Sequence, residues 1–323
     1  MLFGDAAIGI ARKELSHMTR MIQATIGAAL LLGLGPIAPA DAQSRVFVAA
    51  QGSDGNACTF AAPCRTLQHA HNVVAANGEI DVLDPAGYGT LTITKAISIQ
   101  GHGFSGISAA SGNAITINAG ASDHINLRGL LIDGFATGAN GIAFSTGGSL
   151  NIEDTLVRNF ASSGISFAPN AASTFSVVNT HLVANGSHGV SVIPIAGNIT
   201  VSGTFEHVLT ARNGGDGFLF NGGTGLIMRF TIANSTISDN TFHGVVAAGS
   251  GSDVQVMVRS SVVSNQIHGD GLLANGSALL SFSSSTVMYN ETGIQTLNGA
   301  LVESFGDNVL RGPGGPTSTV PLK

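Results

Sequence analysis

The chain has 323 residues, with 44 Gly, 9 Pro, 10% charged side chains and a formal net charge of -6. A hydrophobic content of 44% is enough to bury a sizeable core, which excludes a disordered chain. The lysines are Lys13, Lys95 and Lys323 alone and no basic run exists, so the clustered cations that nucleic acid requires are missing and nucleic acid is excluded as a partner.

Residues 1–42 read as an export signal. Arg12, Lys13 and Arg20 precede the apolar stretch MIQATIGAALLLGLG, and Ala40 and Ala42 form an A-x-A cleavage pattern. Met1, Met18 and Met21 all stand as candidate starts, the later two giving a signal of ordinary length. The apolar run is short and Gly-rich for a membrane span, so no span is expected after cleavage; a retained anchor is the alternative. Export places the mature chain, from Gln43, outside the cell or in the periplasm.

Cys58 and Cys64, in NACTFAAPCRT, fit that compartment. They are expected to form a disulfide that clamps a small loop, worth about 2 kcal/mol. A metal at the pair would need further ligands. His69 and His71 are close in sequence, but they fall in the next element. RTLQHAHNVVAAN predicts a short amphipathic helix with Thr66 as N-cap, an apolar face of Leu67, Ala70, Val73 and Val74, and Gly78 past its end. Such a helix over the first coil would cover an open sheet edge.

GEIDVLD and LTITKAISIQG then read as first coils, and a repeat follows. DGFATGANGIAF, RNFASSGISF, ANGSHGVSV, RNGGDGFLF, DNTFHGVVA, SNQIHGDGLLA and YNETGIQT share an Asn-to-Gly turn followed by an apolar strand. Their Gly anchors are Gly141, Gly164, Gly189, Gly217, Gly244, Gly271 and Gly293. Each period holds a second alternating segment, such as VQVMV at Val254–Val258, then a polar pair such as Asn179-Thr180 or Ser284-Ser285, then a short third segment such as HLVAN. Three short strands per period describe the coil of a parallel β-helix, with length differences absorbed in the turns. The expected organisation is a signal at 1–42, a β-helix domain with its N-terminal cap at 43–312, and a flexible tail at 313–323.

The head of the mature chain adds a resemblance. Gly52, Asp54 and Asn56, then Ala62, Pro63, Thr66, Leu67 and Ala70, match the G-x-D-x-N and A-P-x-x-T-hydrophobic-x-x-A segments that precede the capping helix in secreted bacterial right-handed parallel β-helix repeat proteins. Over about residues 45–312 the chain resembles this pectate-lyase-like group. The resemblance implies a right-handed, all-β solenoid, in keeping with the crossover rule for parallel strands. It does not imply one activity, because the fold hosts lyases, hydrolases, esterases, epimerases, tailspikes and non-catalytic proteins.

A lyase-like chemistry would need carboxylates to hold Ca2+ against a uronate and a basic group to take the α-proton. Arg158, Arg212, Arg229 and Arg259 are candidate bases, each with the alternative of a solvated turn residue. Asp133, Asp216, Asp239 and Asp270 are scattered singly, and Glu153-Asp154, as neighbours in a strand, are expected on opposite faces. The GHG at Gly101–Gly103 reads as a turn.

Counting three residues on from each Asn gives the column Ser162, His188, Asp216, His243, His268 and Gly293. Stacked about 5 Å apart, His188, Asp216, His243 and His268 would form a metal or acid–base site. The plainer reading is a polar turn column, which Ser162 and Gly293 favour. Asn159, Asn185, Asn213, Asn240, Asn265 and Asn290 read as a structural turn column whose amides bond along the stack. The face after each Gly, with Ala143, Ser166, Ser191, Leu219, Val246, Leu273 and Gln295, reads as small and neutral, and with no Trp and only Tyr88 and Tyr289 the aromatic platforms of a sugar groove are scarce. The expectation is therefore a non-catalytic module that binds a polysaccharide or envelope glycan or serves structurally, with a polysaccharide-active lyase or glycoside hydrolase as the alternative.

Overall fold

The protein is described as a computed structural model over residues 43–321. The expected signal at 1–42 lies outside the described residues. Among the described residues no helix is long and apolar enough to cross a membrane.

Every strand pairing is parallel, and each coil contributes to three sheets. The wide sheet includes Gln43–Val48, Ser149–Glu153, Ser173–Val178, Thr200–Glu206 and Ile227–Ala233. The narrow sheet uses three-residue strands such as Leu156–Arg158, His181–Val183 and Leu209–Ala211. The third carries Ile165–Phe167, Val190–Val192 and Phe218–Gly222, the strands after the Gly anchors. This is the expected parallel β-helix.

Register makes the core. Ile142, Ile165, Val190, Phe218, Val245 and Leu272 stack in successive coils and are all buried. Each such side chain contributes about 1.5–3 kcal/mol relative to exposure. Gly203 sits in register between Phe175 and Phe230, in a column of the wide sheet that faces the core. A Cβ there would lie 2.5 Å from the Phe175 carbonyl oxygen, so only Gly lets the backbones close up.

Two of the three corners turn on one residue in the left-handed region. At the first corner, between the wide and narrow sheets, these are Asp154, Asn179, His207, Asn234, Ser260 and Ser284, with φ from 49° to 57° including His102. At the second corner they are Asn159, Ala184, Arg212, Asp239, Asn265 and Tyr289. Asn, Asp and Gly tolerate that conformation best, which explains the polar bias of the repeat.

Both ends are closed. Leu67–Val73 is helical, capped by the Thr66 hydroxyl, which accepts the His69 N–H at 3.2 Å. Asp54 in turn accepts the Arg65 and Thr66 N–H groups, both at 2.9 Å, so the G-x-D-x-N segment organises the helix start. Gln68 Oε1 accepts the Thr92 N–H at 2.8 Å and His71 Nε2 accepts the Thr94 N–H at 3.2 Å, so helical side chains replace a missing strand beside Leu91–Ile93. His71 is thereby committed to capping, not to a metal. Cys58 and Cys64 are disulfide-bonded, as expected. The segment expected as a loose tail instead lays Ser318–Thr319 beside Glu303 and Ser304. There it satisfies strand groups that would otherwise face solvent.

Candidate functional site

At the second corner the amide ladder runs Asn185, Asn213, Asn240, Gln266 and Asn290, and all five are buried. Asn185 Nδ2 donates to Asn213 Oδ1 at 3.0 Å, and Asn213 Nδ2 to Asn240 Oδ1 at 2.9 Å. Gln266 continues the stack, its Oε1 accepting the Asn240 N–H at 3.2 Å. Asn159 and Asn265, expected in this column, are not in it. They sit one residue earlier, at the left-handed turn position with φ 58°, and Phe160 and Gln266 take the ladder places. The residue type favoured at two adjacent positions is the same, so an Asn alone does not reveal which one it fills.

The polar column next to the Gly anchors also differs from the count along the sequence. The coil with Gln266 has one extra residue before its Gly anchor, Gly271, which puts Asp270 rather than His268 in line. Asp270 pairs in register with Thr292, and His268 is exposed and off the stack. The column therefore alternates His188, Asp216, His243, Asp270. His188 Nδ1 accepts the Asp216 N–H at 3.1 Å and lies 3.2 Å from its Oδ2. Asp216 Oδ1 accepts the His243 N–H at 3.0 Å. His243 Nδ1 accepts the Asp270 N–H at 3.0 Å, with Asp270 Oδ2 also 3.0 Å away. The Asp270 carboxylate raises the His243 pKa above its ordinary value; burial opposes this, and the Asp216 and Asp270 charges add to it.

This column does not converge on a point. Among the described residues, the trio of His, Cys, Asp or Glu ligand atoms lying within 4.8 Å of one another is Cys58, Cys64 and His69, where both sulfurs are in the disulfide. The column is a ladder in which each Nδ1 has a backbone partner. Arg212, one of the candidate bases, is an exposed residue of the left-handed turn.

The convergent charges lie elsewhere, where the wide sheet meets the first corner. Arg128 Nε lies 3.1 Å from Asp154 Oδ2 and 3.6 Å from Glu153 Oε2. Glu153 and Asp154, expected on opposite faces, share this partner because Asp154 has φ 52° and leaves the strand's alternation. Asn179 Nδ2 donates to Asp154 Oδ1 at 2.6 Å; that bond lowers the Asp154 pKa most, with Arg128 assisting. His102, inside the GHG segment, has φ 57° and is a turn residue as expected. It is also paired: its Nε2 lies 2.6 Å from Asp81 Oδ1, and Asp81 Oδ2 accepts from Arg45 at 2.9 Å. His102, Arg128 and Asp154 line a cavity of about 420 Å³ with Gln100, Gly103 and Gly129.

Further along the wide sheet a cavity of about 500 Å³ is lined by Arg229, Gln255, Met257, Leu279 and Phe305, among others. Arg229 is held to the Asp253 carboxylate and also donates to the Asp253 carbonyl at 2.8 Å. Arg158, another candidate base, donates to Asp133 Oδ2 at 2.8 Å on the narrow sheet, away from both cavities. Arg259 is an exposed residue of the wide sheet.

Comparisons with solved structures place this architecture. A pectate lyase, Pel9A, aligns with TM-score 0.51 and 15% identity over 82% of this chain and 72% of its own. An alginate lyase from Paenibacillus sp. str. FPU-7 aligns with TM-score 0.51 and 12% identity over 85% and 98%. XylC, solved with xylose, aligns with TM-score 0.55 and 10% identity over 80% and 68%. No family model and no curated protein matches the sequence. The fold is thus a right-handed parallel β-helix of the pectate-lyase-like kind. At these identities the likeness is one of fold.

Proposed function

We propose that this is an exported β-helix protein that binds a polysaccharide or envelope glycan through the surface around His102, Arg128 and Asp154. The observation that carries the reading is the cavity of about 420 Å³ in which a guanidinium, an imidazole and a carboxylate face one ligand-sized space. Sugars are recognised by bidentate and charge-assisted hydrogen bonds from such groups. The ion pairs that hold Arg128 and His102 are partly exposed and worth about 0–1 kcal/mol each, so a ligand can displace them at little cost. The disulfide and the carbohydrate-acting fold neighbours support export and a glycan partner.

A polysaccharide lyase is the second reading, favoured by the His102–Asp81 pair. Asp81 would orient the imidazole so that it takes the proton next to a uronate carboxyl group. Against it, Arg128 is matched by two carboxylates already, which leaves less positive charge to stabilise an enolate. Calcium, which a lyase-like site would call for, does not fit these residues. Glu153 and Asp154 are taken by Arg128, Asp81 by Arg45 and His102, and no carboxylate trio converges among the described residues. Calcium needs six or more oxygen ligands.

The test is a glycan screen with the purified protein, in Ca2+ and in chelator. Binding that is independent of Ca2+ and lost in Arg128→Ala supports the reading. Release of unsaturated product absorbing in the ultraviolet, abolished in His102→Ala, would replace it with the lyase. Retention of full affinity in Arg128→Ala would sink it.

A further inference from the structure

At the head of the solenoid, Cys58, Cys64 and His69 bring two sulfurs and an imidazole nitrogen within 4.8 Å of one another. The cysteine backbones are fixed independently of the S–S bond. Phe47 N–H donates to the Cys58 carbonyl at 2.8 Å, Cys64 N–H donates to the Phe47 carbonyl at 2.9 Å, and Ala49 N–H donates to the Cys64 carbonyl at 3.0 Å. The first strand and the residue after it therefore hold both cysteines in place. His69 is carried by the capping helix, whose Leu67 and Ala70 are buried in the same core as the two cysteines.

The His69 ring is half-buried, and among the described residues it has no hydrogen-bond partner; the bond His69 does make runs from its backbone N–H to the Thr66 hydroxyl. His71, two residues on, spends its ring on the Thr94 N–H. The nearby carboxylate is committed as well, since Asp54 accepts the Thr66 hydroxyl at 2.8 Å besides the Arg65 and Thr66 N–H groups. The head thus presents one free imidazole against two sulfurs, all on elements that do not depend on the S–S bond for their position.

Two thiolates and an imidazole are the donors of a zinc-type site. With Zn–S bonds of about 2.3 Å in tetrahedral geometry the sulfurs stand about 3.8 Å apart. The cysteine Cα atoms are 4.6 Å apart, so rotation of the two side chains reaches that separation without moving the backbone. Three protein ligands leave the fourth position to water. The disulfide offers no thiolate, so redox state gates the site. A dithiol reductant opens it by exchange: one of its thiolates attacks a cysteine sulfur, its second thiol resolves the mixed disulfide, and it leaves as its own disulfide. The cysteines gain two electrons and two protons, and an incoming dication displaces both protons. Both sulfurs are buried beneath a short loop whose Thr59 and Phe60 are exposed, so exchange proceeds when that loop lifts.

We propose that the head of the solenoid is a redox-gated site for a thiophilic dication of the Zn2+ class, bound by Cys58, Cys64 and His69 in the reduced chain and excluded from the oxidised one. The inference is independent of the glycan reading, since none of these residues lines the cavity at His102.

An anaerobic Co2+ titration of the purified protein, reduced with a dithiol and then desalted, tests this. The reduced chain should take up one Co2+, with thiolate-to-cobalt charge transfer in the near ultraviolet and the visible bands of tetrahedral geometry, and Zn2+ should displace it. The oxidised chain should show neither signal. His69→Ala should weaken binding at least about tenfold and shift the visible bands, because water replaces a nitrogen ligand. The double variant Cys58→Ser, Cys64→Ser should keep the far-ultraviolet circular dichroism of the parent and bind no Co2+. A reduced chain that takes up no Co2+, whether or not its head stays folded, overturns the proposal. Parental affinity and spectrum in His69→Ala overturn the three-ligand site, and equal uptake by the oxidised chain overturns the gating.

Discussion

His243 Nδ1 receives the backbone N–H of Asp270 at 3.0 Å while the carboxylate of the same residue lies 3.0 Å away. One ring nitrogen thus faces a donor and an acceptor at once. When neutral, it holds the backbone of the next coil and carries its proton on Nε2. When protonated, it releases that N–H and pairs with the carboxylate.

The pH dependence of this pair has a definite sign. The carboxylate raises the folded-state pKa of His243, with burial opposing, so the folded state binds the proton more tightly than the unfolded chain. The stabilisation is fully present below the unfolded value of about 6.5 and is lost as pH rises through the folded value. Denaturant unfolding should show that His243→Asn costs more stability on the acid side of that window than on the alkaline side. A cost that is flat with pH would show that the carboxylate does not bias the ring.

His71 should behave in the opposite way. Its burial, with the Lys95 charge adding, lowers its pKa, and its Nε2 accepts the Thr94 N–H. The unfolded chain now binds the proton more tightly, so the contribution is present above about pH 6.5 and lost as pH falls below it. The parent protein should lose stability on acidification by an amount that His71→Gln does not lose.

The amide ladder predicts a contrast between two asparagines. Asn240 is fully buried, and its side chain accepts from Asn213 and donates to the Thr210 carbonyl at 3.2 Å. Asn240→Ala leaves those groups without partners and should cost about 2–4 kcal/mol. Asn265 is exposed and contributes its tolerance of φ 58°, so Asn265→Ala should cost about 1–2 kcal/mol. Equal losses in urea titrations would contradict the ladder's register.

Gly203→Ala should destabilise by about 1–3 kcal/mol. The new Cβ would lie 2.5 Å from the Phe175 carbonyl oxygen and 3.0 Å from that residue's Cβ, both held by a parallel strand pair. The thermal midpoint reports it directly.

The solenoid was legible in the sequence because the Gly anchors mark one corner in each coil and the apolar alternation marks the strands. The helix was legible too, though it ends at Val73 and the expected Val74 opens a strand instead. The site was less legible, for physical reasons. A fixed offset from Asn puts His268 in the polar column, but the stretch from the ladder residue Gln266 to its Gly anchor is one residue longer than from Asn240 to Gly244, and the Gly anchor at 271 is the mark that selects Asp270. His102 reads as a turn residue and is one, yet a turn conformation does not exclude a role for the imidazole. Arg128 carries no local signal, since it is a lone Arg in an alternating strand and its partner Asp154 is a coil away. The strand alternation that separates Glu153 from Asp154 fails because a left-handed residue ends the strand.

The one-residue turns of the first corner make the coil a unit of measure. Each coil leaves the corner by the same backbone conformation, so excising 155–179 would join Asp154 to Thr180 with like meeting like on both sides of the cut. His102 and His207 would then stand one strand spacing, about 4.8 Å, closer together. In such a chain reach is set by the number of coils, and it changes in whole steps of one strand spacing.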